Sequence, residues 1–155
     1  MNNHEFIEKT IQLALENVHS GGGPFGALVV KDGKIIATGV NQVTVNLDPT
    51  AHAEIVAIRN ACQSLKDFQL TGCEVFCSCE PCPMCLGAIY WSRPARVFFA
   101  ALGADAAAAG FEDTFVKDQI CLPYQSQQLP IAQLCHDQAL KPFQAWKAKL
   151  DKIAY

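Results

Sequence analysis

Apolar residues at Ile7, Ile11, Ala14 or Leu15, and Val18 recur at helical spacing, while Glu5, Glu8, Lys9, Gln12 and Glu16 mostly fall elsewhere. An amphipathic helix is expected over residues 4–19. The run Ser20-Gly21-Gly22-Gly23-Pro24 stops it. Two short β-rich runs follow, Gly26–Lys31 and Lys34–Val40, separated by Asp32-Gly33. That dipeptide favours the tight turn of a hairpin. Residues 41–50 read as a loop. Ile55, Ile58, Cys62 and Leu65 then mark one face of a second helix over 51–65. Residues 73–78 read as a third strand, and 83–91 as a short helix with Pro83 at a tolerated first-turn position. Arg96–Ala101 is apolar enough for a fourth strand covered on both faces.

The second half is less patterned. Ala106 to Ala109 read as small packing residues, 111–120 as a helix, and 121–130 as a loop with two prolines. A fifth strand is expected at 131–135 and a last helix at 142–154. No repeat or domain boundary interrupts the chain, so residues 1–155 are read as one layered α/β domain with helices on both sheet faces. A length of 155 residues suits one core. With 50% hydrophobic and 17% charged residues, a disordered chain is excluded. The net charge of −3 argues against a partner gripped by its phosphates. The N-terminus carries no basic region followed by an apolar core, and no apolar run has the roughly 20 residues of a membrane helix. A cytoplasmic protein is expected.

Eight cysteines without an export signal point to metal binding or burial rather than disulfides. Cys62, Cys73, Cys121 and Cys135 lie in apolar settings and are read as core residues, whereas Cys77, Cys79, Cys82 and Cys85 crowd together. Two segments stand out where loops enter helices: Thr50-Ala51-His52-Ala53-Glu54 and Glu80-Pro81-Cys82-Pro83-Met84-Cys85. Cys82 and Cys85, three apart at a helix start, can bind one metal, and the helix dipole favours their thiolates. His52 supplies a third ligand. Three protein ligands leave a tetrahedral zinc one open position, the mark of a catalytic site. Zinc lowers the pKa of bound water, and a carboxylate that does not bind it can shuttle protons. Glu54 is placed for that task. The spacing Cys79-x2-Cys82-x2-Cys85 also fits an iron–sulfur cluster or a closed Cys3His zinc site, with Cys79 as a ligand. The accompanying H-x-E favours the open zinc site.

The pairing of H-x-E with P-C-x-x-C is the signature of zinc deaminases. Along almost its whole length the chain resembles the cytidine-deaminase-fold superfamily, and within it the bacterial guanine deaminases. The resemblance rests on G-G-P-F-G-A (22–27), D-P-T-A-H-A-E (48–54), C-E-P-C-P-M-C-L-G-A-I-Y-W (79–91), A-G-F-E-D-T-F (109–115), P-F-Q-A-W (142–146) and a terminal Tyr155. The zinc motifs fit every member of the superfamily. The stretch around Asp113, P-F-Q-A-W and the terminal Tyr discriminate.

This resemblance implies a three-layer α/β/α fold with a mixed, roughly five-stranded sheet. It implies one zinc ion per subunit and hydrolysis of guanine to xanthine and ammonia, with zinc-bound hydroxide attacking C2 and Glu54 moving protons. Asp113 matches a second carboxylate that assists the leaving amine; on sequence chemistry alone a helix cap or a solvated acid is the rival, less favoured reading. Asn41, Phe25, Ala53, Trp91 and Tyr155 fall at positions of the base pocket. An Asn amide suits a purine edge and an aromatic ring suits a flat base. Turn stabilisation for Asn41 and core packing for Phe25 and Trp91 stay open at this point. The resemblance further implies a small-molecule purine as partner and a C-terminal segment that closes over the site. The connection 121–130, with prolines near both ends, and the apolar residues Ile131, Leu134, Phe143, Trp146, Leu150, Ile153 and Tyr155 after it add the expectation of a homodimer, with residues from about 131 to 155 available for exchange between subunits. A tRNA adenosine deaminase, or a deaminase of cytosine or another small heterocycle, would share the zinc motifs.

Overall fold

The chain opens with α1, Asn3–His19, begun by a capping box. Asn2 Oδ1 accepts from the Glu5 N–H, and the Glu5 carboxylate accepts from the Asn2 N–H. The computed structural model describes residues 1–155, in two units, Met1–Asp113 and Thr114–Tyr155. The buried face of α1 is Phe6, Thr10 and Ala14. Ile11, Leu15 and Val18, expected to face inward, are exposed. Thr10 can be buried because its hydroxyl donates to the Ile7 carbonyl at 2.7 Å.

Strands β1, Gly26–Lys31, and β2, Lys34–Val40, form the expected hairpin. Asp32 and Gly33 both take positive φ, 50° and 72°, as the favoured two-residue turn requires. A short α2, Val43–Asn46, interrupts the stretch expected as loop. Next come α3, Ala53–Leu65, β3, Cys73–Cys79, α4, Pro83–Ser92, β4, Arg96–Ala101, and α5, Gly103–Ala108. The sheet is mixed, in the order β2-β1-β3-β4. β1 runs antiparallel to both neighbours, and β3 pairs in parallel with β4. It has four strands rather than roughly five, since residues 131–135 form no strand.

Period-two alternation divides the central strands between two cores. Ala27, Val29, Val75 and Cys77 meet Ala53, Ala57 and Ala61 of α3. Leu28, Val30 and Phe76 meet Phe6 of α1. The layered arrangement expected from the element order is therefore present. β4 differs from expectation: it is not covered on both faces, and its Phe99 is 45% exposed.

The alanine stripe lets α3 approach β2 closely, and Gly39 completes the approach. A Cβ there would fall on the Ala53 carbonyl oxygen and the Ala57 amide nitrogen. Gly39→Ala is expected to destabilise the protein by about 1–3 kcal/mol, since backbone cannot yield as a side chain can. An unchanged urea midpoint would contradict this close fit.

The second unit contains α6, Thr114–Ile120, a 3₁₀ turn at Tyr124–Ser126, and α7, His136–Ala148. Here α7 both starts and ends earlier than expected and carries Pro142 in its interior, where the missing N–H leaves the Gln138 carbonyl without its helical donor. No residue of 114–155 is buried. Cys121 and Cys135, expected in the core, are exposed, whereas Cys73 is buried.

Candidate active site

Two helix N-termini converge on one point. His52 is the N-cap of α3 and Cys82 the N-cap of α4, each with extended backbone angles, and Pro83 fixes the first turn of α4. The approach to His52 is set by an Asx turn. Asp48 Oδ1 accepts from the Thr50 N–H at 2.8 Å and the Thr50 hydroxyl at 2.7 Å, and these bonds hold the Asp48 pKa below its usual value. β3 ends at Cys79, and Glu80 is tied on both sides before the metal motif begins. Its N–H donates to the Ala101 carbonyl at 2.8 Å, and its carboxylate accepts from the Gly103 N–H at 2.9 Å.

His52 Nδ1 lies 3.5 Å from Cys82 Sγ and 3.5 Å from Cys85 Sγ. All three donor atoms lie within 4.8 Å of one another. A tetrahedral zinc with Zn–S of about 2.3 Å and Zn–N of about 2.0–2.1 Å requires N···S separations of about 3.6 Å. The donor set therefore fits zinc in distance as well as in type. Cys79 is not in this group; its Sγ faces the Leu102 carbonyl at 3.6 Å.

The electrostatics are those of a shared proton. A hydrogen bond from Cys85 pulls the Cys82 thiol down to about 4. The same bond, with burial, pushes Cys85 up. His52 is raised, chiefly by its hydrogen bond to Cys82. A divalent cation would replace that proton and bind both sulfurs as thiolates. Glu54, only 8% exposed, has its pKa raised mainly by burial and lies within hydrogen-bonding reach of the Cys85 thiol.

A cavity of about 280 Å³ opens beside this cluster, lined among others by Phe25, Asn41, His52, Glu54, Phe111 and Asp113. That is the small end of the range of about 300–1,000 Å³ for small-molecule sites. Phe25 and Phe111 meet edge to face, with ring centroids 5.0 Å apart. Cys85 belongs to the metal cluster without lining the cavity. Ala53 is buried among the alanines of α3. Trp91, 67% exposed at the end of α4, does not line the cavity. Tyr155, 74% exposed, lines a hollow of the second unit with Phe143 and Trp146.

Sequence reading did not single out Glu80 or Phe111, which also line the cavity. Both lie inside the quoted motifs, two residues from Cys82 and from Asp113 respectively.

A His/Cys/Cys cluster that could hold a metal ion thus lies beside a buried carboxylate, at two helix starts on a mixed sheet. Residues 1–101 match the family described as the cytidine and deoxycytidylate deaminase zinc-binding region, and the chain belongs to that family. Guanine deaminase of Bacillus subtilis (strain 168) is 52% identical over 156 residues, covering all of both chains. The solved structure of B. subtilis guanine deaminase superposes with a TM-score of 0.98 over 100% of this chain and 99% of that one. A guanine deaminase structure from Nitrosomonas europaea matches at 34% identity and a TM-score of 0.70, over 72% of this chain and 65% of that one. The tRNA-specific adenosine deaminase of Aquifex aeolicus (strain VF5) is 41% identical over 102 residues, 66% of this chain and 68% of its own.

Proposed function

We propose that the protein hydrolyses guanine to xanthine and ammonia. The observation that carries this reading is the full-length likeness to B. subtilis guanine deaminase, which extends through the second unit, where the likeness to the Aquifex adenosine deaminase covers only 66% of the chain. A net charge of −3 also disfavours a tRNA substrate, whose phosphates call for basic residues.

His52 Nδ1 with the Cys82 and Cys85 sulfurs would hold one zinc ion per chain. When bound, zinc supplies a Lewis acid that lowers the pKa of water. Glu54 then accepts a proton from the attacking water and delivers it to N3 of the base as the oxygen bonds to C2. A second proton passes from the new C2 hydroxyl to the exocyclic nitrogen. The C2–N bond breaks, ammonia leaves, and the carbonyl of xanthine remains. Asp113, on the cavity wall, assists protonation of the amine; Asn41 pairs with the base edge and Phe25 stacks on its face.

Ammonia release from guanine, adenine, cytosine, guanosine, ammeline and an adenosine-containing tRNA hairpin tests the assignment. Guanine is expected to be the best substrate, and turnover of the hairpin instead would overturn it. Asp113→Asn is expected to lower kcat more than it raises KM. A change in KM alone would move Asp113 to a purely binding role.

The apolar surface favours a homodimer. The second unit exposes Phe143, Trp146, Leu150 and Ile153, and the first exposes Ile11, Leu15, Val18, Tyr90 and Trp91. This is more than isolated surface residues account for. A second copy would cover it, with the segment from about 131 to 155 exchanged and Tyr155 closing the purine site. Removing residues 153–155 should leave the zinc content intact and weaken turnover of guanine. Unchanged kinetics would rule out closure by the tail, and a monomer by light scattering would rule out the exchange. No helix is long and apolar enough to cross a membrane. The eight unpaired thiols suit a reducing compartment, the cytoplasm.

A further inference from the structure

Asn17 joins two loops on the cavity side of the sheet. It is half-buried near the C-terminal end of α1. Its Nδ2 donates to the Gly23 carbonyl at 2.8 Å and to the Asn41 carbonyl at 2.9 Å. Both acceptors are carbonyls, so only the amino end of the amide satisfies them, and both of its hydrogens are used. The Gly23 carbonyl also accepts from the Phe25 N–H at 2.9 Å, and the Asn41 N–H donates to the Phe25 carbonyl at 3.2 Å. A Cβ at Gly22 would collide with the Asn17 amide, so the loop lies close against it. The bonds reach 6 and 24 residues along the chain.

The physical need for such a clamp is local. Gly21, Gly22 and Gly23 have more backbone freedom to lose than any other residues. Phe25 follows them after a single residue, Pro24. Asn41 leaves the end of β2, and its Oδ1 accepts only a 3.3 Å bond from the Val43 N–H. Neither cavity-lining side chain is held by a helix or by a strong side-chain bond of its own. Both are carried by backbone whose carbonyls Asn17 grips.

We propose that Asn17 is a positioning residue for recognition of the base: it fixes where the Asn41 amide and the Phe25 ring meet the substrate. The inference rests on the reading of the cavity as a purine site.

The test uses full-length, zinc-loaded protein and the variants Asn17→Ala, Asn17→Asp, Asn41→Ala and the Asn17→Ala/Asn41→Ala pair. Asn17→Asp keeps the shape but turns acceptors towards two carbonyls, so it should be no milder than Asn17→Ala. Amide exchange at Phe25 and Asn41 is expected to quicken at least about tenfold in Asn17→Ala, with Val29 and Phe76 in the core unchanged. On guanine, kcat/KM should fall roughly 10–100-fold, the cost of a small misplacement of binding groups. In the Asn41→Ala background the same substitution should cost at least about threefold less than in the wild type, because only the part acting through Phe25 is left. Unchanged exchange at Phe25 and Asn41, or losses that simply multiply in the double variant, overturns the proposal. If the wild-type protein deaminates another base of the substrate panel instead of guanine, the guanine assignment fails by itself. The same cycle on that base then decides the role of Asn17.

Discussion

Replacing Glu54 by Gln is expected to lower kcat for ammonia release about 10²–10⁴-fold while the protein keeps its metal, because proton transfer by a positioned side chain contributes about that much. Glu54 lies in the first turn of α3 and is 8% exposed. Gln has the same shape and can keep the local hydrogen bonds, but it cannot take a proton from water and pass it to the base. The substitution therefore separates chemistry from architecture. Zinc per chain and thermal midpoint are the controls, and both should stay near wild type. A loss below about tenfold would remove Glu54 from the proton pathway.

Cys82→Ala should abolish stoichiometric zinc and, with it, turnover. Cys82 is the N-cap of α4 and stands 3.5 Å from His52 Nδ1, so its loss leaves a His/Cys pair that cannot complete a three-ligand site. Metal analysis after dialysis should find zinc reduced at least about tenfold, because ligand set and affinity are linked. The matched control is Cys79→Ala, which should retain zinc, since the Cys79 sulfur faces the Leu102 carbonyl and lies outside the donor group. Equal metal loss from both variants would support a closed Cys3His site. Iron with sulfide in the purified protein would refute the zinc assignment altogether.

Local chemistry was legible in the amino-acid order. Asp32-Gly33 announces the hairpin because few other residues accept two successive positive φ values. His52, Cys82 and Cys85 were legible as candidate ligands that the fold brings together, because each sits at or beside a helix start, where a few residues of sequence determine the direction of the side chain. The strands β1 and β2 were readable to the residue at their shared end because the Asp32-Gly33 turn divides them.

Which face of an element is buried was decided elsewhere. In α1 the periodicity of Ile11, Leu15 and Val18 is real, yet the sheet receives Phe6, Thr10 and Ala14. Thr10 hides its polarity in a bond to its own helix, and Phe6 meets Phe76, seventy residues on in the chain, with ring centroids 5.0 Å apart. The exposure of Phe99 on β4 likewise depends on what covers that face of the sheet rather than on the strand's own composition. The two bonds of Asn17 join residues that share no motif. Sequence alone determined the donor atoms and the elements that carry them, because caps, turns and ligand spacings act over a few residues. Tertiary structure alone decided the buried faces and the cavity wall, because burial and long-range hydrogen bonds depend on partners that no local pattern specifies.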